Sequence, residues 1–174
     1  MLILFAAVAS CDSVSSSLMA PTPSATPILS IPSNWQTVDK GRFKISLPPD
    51  LKEKKLQGID TAIWAFEGEK LSVSVEIGEL SGDFSFERGR YESSLESISV
   101  NGLKAEHLTL DLNRPVLKNW AFNADGSTKV PVLEKNLAAA LYFPDKAAKF
   151  WIERTPDVPA ETAETILYSV KFDK

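Results

Sequence analysis

One cysteine and one histidine occur in the 174 residues, and each scarcity closes off chemistry. With Cys11 alone, no intramolecular disulfide can form and a cysteine-based zinc site is excluded. With His107 alone, a metal site of the usual multi-histidine kind is excluded, and the base that a hydrolytic triad needs beside its nucleophile has one candidate only. No G-x-S-x-G, G-x-G-x-x-G, Walker-type loop or H-E-x-x-H is present. Positive charge is in deficit, 19 Lys and Arg against 23 Asp and Glu, for a net charge of −4. A non-specific nucleic-acid binder needs the opposite balance, because it must neutralise phosphates. Apolar runs are short: the longest, at the N-terminus, falls well below the ~20 residues that cross a bilayer. No cofactor and no metal follow from any motif.

What is there begins with that run. Leu2 to Ala9 has the length of a signal-peptide hydrophobic region, and small residues then lead to Cys11. Val8-Ala9-Ser10-Cys11 resembles the bacterial lipobox, in which the cysteine sulfur receives a diacylglyceryl group and becomes the first residue of the mature protein. That resemblance implies lipidation of Cys11. Two or three acyl chains at ~0.8 kcal/mol per buried methylene give a stable anchor where one is marginal. No Lys or Arg precedes the apolar run, so the expectation is either an atypical export signal or a true start other than Met1. Asp12 resembles the residue that retains lipoproteins in the inner membrane of some Gram-negative bacteria, and which membrane is involved is left open. From Asp12 to Asn34 the chain is rich in Ser, Thr and Pro and almost uncharged, a composition that packs no core and reads as a tether. The organisation expected is thus 1–10 signal-like segment, 11–34 lipidated cysteine and disordered tether, and 35–174 one globular domain.

Within the domain the patterns are mostly those of strands. Phe43, Ile45 and Leu47 alternate with polar residues and stop at Pro48-Pro49. Ala62–Phe66 and Leu71–Ile77 flank Glu67-Gly68-Glu69-Lys70, as in an antiparallel hairpin. Phe84, Tyr91, Leu95 and Ile98 recur at helical spacing and predict a helix over 86–97. Asn101-Gly102 is a strong hairpin signal, with a returning strand from Leu103 to Leu112. The leucines Leu108, Leu110 and Leu112 share one face, so His107 is expected on the surface or on an edge strand. Leu137–Phe143 and Phe150–Arg154 read as further strands. Asp157, Pro159 and Glu161 open a helix with the apolar stripe Ala160, Ala163, Ile166, Leu167, and Val170 and Phe172 close the chain in a last strand.

The fold class expected is α+β, a single domain of mainly antiparallel sheet with a mid-chain helix and a C-terminal helix packed on it. The strand Gly41-Arg42-Phe43-Lys44-Ile45-Ser46-Leu47-Pro48, the Val100-Asn101-Gly102 turn and the closing helix into Ile166-Leu167-Tyr168-Ser169-Val170-Lys171-Phe172 resemble the PsbP-like α/β sandwich and related uncharacterised bacterial lipoproteins. The resemblance implies that sandwich fold for 35–172 and carries no particular activity with it.

Between Asn113 and Asn136 no periodicity survives, and a long irregular stretch in a small domain is commonly functional or disordered. It holds Trp120 and Phe122, the pair proposed to contact a partner. Asn123-Ala124-Asp125-Gly126 lacks the acidic ligands of a calcium loop and reads as a turn. Trp35, Trp64 and Trp151 are expected in the core or half-buried on strands. The function expected is a lipid-anchored, non-catalytic binding or accessory module of the bacterial envelope, attached to the membrane through Cys11 and meeting an unidentified envelope protein. The alternative is a small-ligand-binding protein or hydrolase with a carboxylate-based site.

Overall fold

A computed structural model describes residues 24–25, 29–54, 56, 61–78, 81–115 and 137–173. In chain order the strands are β1 (Ser24–Ala25), β2 (Gln36–Asp39), β3 (Phe43–Leu47), β4 (Lys52–Lys54), β5 (Ala62–Glu67) and β6 (Leu71–Ile77). After a one-turn helix α1 (Ser85–Arg88) come β7 (Tyr91–Val100), β8 (Leu103–Pro115), β9 (Leu137–Phe143) and β10 (Ala148–Arg154). Helix α2 (Ala160–Tyr168) and β11 (Lys171–Phe172) complete the order. Eight strands form one sheet in the order β1-β7-β8-β9-β10-β6-β5-β4, and three form a second, β11-β3-β2. Among the described residues every pairing is antiparallel except β1 with β7. The expected sheet-rich α+β domain is present, with α2 as its one helix of more than a single turn among the described residues.

One face of the large sheet carries Val73, Val75, Leu141, Phe143, Phe150 and Ile152, all buried, and the small sheet and α2 cover it. Alternation explains this layering: β6 is buried at every second residue, and so is β3 at Phe43, Ile45 and Leu47. The second face carries Leu108, Leu110, Ala138 and Ala140, capped by Phe84 from the segment that leads into α1. Lys149 lies on that face between the rings of Phe84, 5.3 Å away, and Trp151, 5.7 Å away, and is paired with Glu87 at 2.5 Å. Trp35, Trp64 and Trp151 are half-buried at the margins of these two cores.

Three details differ from the expectations. The helix foreseen over 86–97 ends after one turn, and Tyr91–Val100 is a ten-residue strand. Its helical spacing is coincidental: Tyr91 and Leu95 join the second core, whereas Ile98 and Val100 point to the first. The Asn101-Gly102 turn, with positive φ at both residues (50° and 82°), folds β8 back along the whole strand, and this pairing outweighs a helix interrupted by Gly89. His107, expected on the surface or at an edge, is buried on an interior strand. The leucine stripe marks one buried face of β8, but α2 buries the other as well. Asp157, expected in the first helical turn, precedes α2 and instead binds Lys70 and Thr155, each at 2.5 Å. The Lys70 ammonium is the main cause that pulls this exposed carboxyl down to about 2.

Two polar ties fix α2 and the chain after it. Asn101 donates its side-chain amide to the carbonyls of Val170, at 2.7 Å, and Tyr168, at 3.3 Å, joining the hairpin turn to the helix end. Ser169, buried, accepts the amide of Ser46 at 2.9 Å and donates to the carbonyl of Ile166 at 2.6 Å. β11 pairs with β3 only at Phe43 and Lys44, so the Ser169 hydroxyl supplies the acceptor that a longer β11 would have given Ser46. Ser169→Ala strands that buried amide and is expected to cost about 1–3 kcal/mol. Urea unfolding would register it as a lower midpoint at unchanged slope; an unchanged midpoint would show that Ser46 finds another acceptor.

Ser24–Ala25 lies in the stretch read as tether. Its pairing to Ile98 and Ser99 leaves residues 12–23 between Cys11 and the sheet. No helix among the described residues is long and apolar enough to cross a membrane.

Candidate functional site

α2 has nine residues and so is about 14 Å long, whereas β7 and β8 run for ten and thirteen. The helix cannot cover the whole face. Where it stops, an open groove of about 540 Å³ lies between its first turns and the end of the hairpin remote from Asn101-Gly102. Small side chains form the helix wall and floor: Ala160 and Ala163 on α2, with Ala139 opposite on β9. Ala163 and Ala139 are buried, and their size lets α2 sit close to the sheet.

The rest of the lining is polar. β7 contributes Glu92 and Ser94, and β8 contributes Thr109 and Asp111. Ser94 and Thr109 share a hydrogen bond of 3.0 Å between their hydroxyls. Glu92 and Asp111 stand directly opposite each other in the antiparallel register, which brings their Cβ atoms to within roughly 5.5 Å. Glu164 comes from α2 and Arg154 from β10. Arg154 donates to the Val158 carbonyl at 2.6 Å, which ties the approach to α2 onto the sheet. Burial depresses its guanidinium, against the opposing pull of Glu164. Deeper under α2, the Tyr168 phenol is pushed up to about 12, first by burial and then by Glu164 and Glu96.

The groove presents carboxylates, one guanidinium and hydroxyls around a floor of alanines. Among the described residues no group of three or more His, Cys, Asp or Glu is placed to hold a metal ion. Cys11, Trp120, Phe122 and the turn at Asn123–Gly126 lie outside the described residues. β8 ends at Pro115 and β9 begins at Leu137, which lines the groove.

None of the groove residues stands out in the sequence. One signal could have found two of them. The two-residue Asn101-Gly102 turn fixes the register, and equal steps back from it along either strand bring Glu92 opposite Asp111. Reading 86–97 as helix hides that pair. Glu164 and Arg154 join the site only through the packing of α2 on β9 and β10, which no local pattern encodes. A scan of protein-family models finds none that matches the chain, and no curated protein matches it either.

Proposed function

We propose that the protein is a lipid-anchored, non-catalytic binding module of the bacterial cell envelope. Acyl chains on Cys11 hold it to a membrane, and the groove between α2 and the β7–β8 hairpin receives a protein partner. The observation that carries this reading is the meeting of two features at one end of the sheet. The groove opens there, and there too β9 begins at Leu137, the first described residue after the sequence that holds Trp120 and Phe122. A PsbP-like arrangement belongs to the same reading. It is supported by the closing helix, whose chain runs on into β11 and pairs with the Phe43–Leu47 strand.

Capture from envelope extracts tests it, with the full chain as bait. Thr109 is exposed and lines the groove, so Thr109→Trp fills the recess without entering a core. The partner recovered by the wild type is expected to fall by about tenfold or more with Thr109→Trp, and likewise with Trp120→Ala and Phe122→Ala together, the loss that follows when a hot spot worth some 1.4 kcal/mol or more is removed. Recovery that survives both sets of substitutions excludes the groove and the segment as the binding surface.

The facing pair Glu92 and Asp111 favours one second reading, a small-ligand-binding protein or hydrolase built on carboxylates. Turnover of an ester or glycoside abolished by Asp111→Asn, with partner capture intact, would establish that reading instead.

A further inference from the structure

His107 is the only histidine of the chain, and neither binding reading uses it. Its side chain is buried, 7% exposed, and among the described residues its Nε2 has no hydrogen-bond partner. The ring meets the ring of Tyr168 on α2 edge-on, with centroids 5.8 Å apart. Across the sheet it faces Glu96 on β7 and Leu141 on β9. The charged and titratable groups around it are therefore Glu96 from β7, and Glu164 and Tyr168 from α2; β9 offers none at that position.

We propose that His107 makes the seating of α2 on the sheet respond to pH. When neutral, the ring packs against Tyr168 and the helix stays down. When it takes a proton from solvent, it places a charge at a buried nitrogen with no acceptor, a state that is costly unless the charge is hydrated or paired. Lifting α2 relieves this, because it admits water to the ring. Burial already depresses the imidazole below its ordinary 6.5, and the two carboxylates oppose that shift without being its main cause. The neutral ring thus contributes stability above pH 6.5, and the contribution is lost as the pH falls through the lower folded value. Because Ala160, Ala163 and Glu164 form the helix wall of the groove, acid would loosen that wall. The inference goes beyond the binding role and holds whether or not the groove has a partner.

The wild-type full chain decides it. A lone histidine gives imidazole resonances that need no assignment among residues and can be followed by NMR, beside hydrogen exchange of the α2 amides corrected for its intrinsic pH dependence. The ring is expected to titrate below 6.5. Between about pH 7.5 and about pH 5, α2 protection is expected to fall, starting near 6.5 and levelling off once the ring has titrated, while β3 and β6 amides keep theirs. His107→Phe, which retains the edge contact and cannot titrate, should abolish the dependence. Protection that is equal at the two pH values, or that goes on falling after the ring has titrated, overturns the proposal.

Discussion

Phe150→Ala is expected to lower the free energy of unfolding by about 3–5 kcal/mol, the range for emptying a fully buried aromatic site. Phe150 sits on β10 between β6 and β9, opposite Val75 and Leu141, with no exposed surface. Its ring lies edge-on to Phe43 at 5.3 Å, Phe143 at 5.8 Å and Phe172 at 6.0 Å. Phe43 belongs to the small sheet, as does Phe172, so this one side chain joins the two layers. Alanine would open a cavity that rigid strands on both sides cannot close. A single domain is stable by only about 5–15 kcal/mol, and no intramolecular disulfide exists here to compensate. Urea unfolding followed by tryptophan fluorescence would measure the loss. Trp151→Ala is the comparison, since Trp151 is half-buried on the opposite face. It should cost less than Phe150→Ala; the reverse order would place the central core on the wrong face of the sheet.

That core is legible in the sequence. Phe43, Ile45 and Leu47 alternate because one face of β3 is buried, and the same period marks Leu71–Ile77. Asn101-Gly102 announces its hairpin because positive φ at two successive positions is hard for other residues. The pattern misleads where local periodicity and long-range pairing disagree. Ser93, Ser94 and Leu95 read as helix from local spacing, and only pairing with Leu108–Leu110 makes them strand. His107 is hidden for a related reason: a strand with one leucine face looks half-buried, and what covers its other face comes from Glu164 and Tyr168, far away in the chain. The groove is a mismatch of lengths between α2 and the hairpin, and lengths become visible only once the elements are assembled.

The second large effect concerns the anchor. Leu2 to Ala9 followed by Ser10-Cys11 carries the lipoprotein reading, and Cys11 is the only thiol on which a thioether-linked lipid could form. Two or three acyl chains bury enough methylenes at ~0.8 kcal/mol each that membrane association should be essentially complete with them and lost without them. The decisive measurement is fractionation of cells expressing the full chain and its Cys11→Ser variant after labelling with a radioactive fatty acid. A labelled, membrane-bound wild type is expected, beside an unlabelled variant released from the membrane fraction. A variant that stays with the membrane, or a wild type that takes up no label, would contradict lipid anchoring at Cys11.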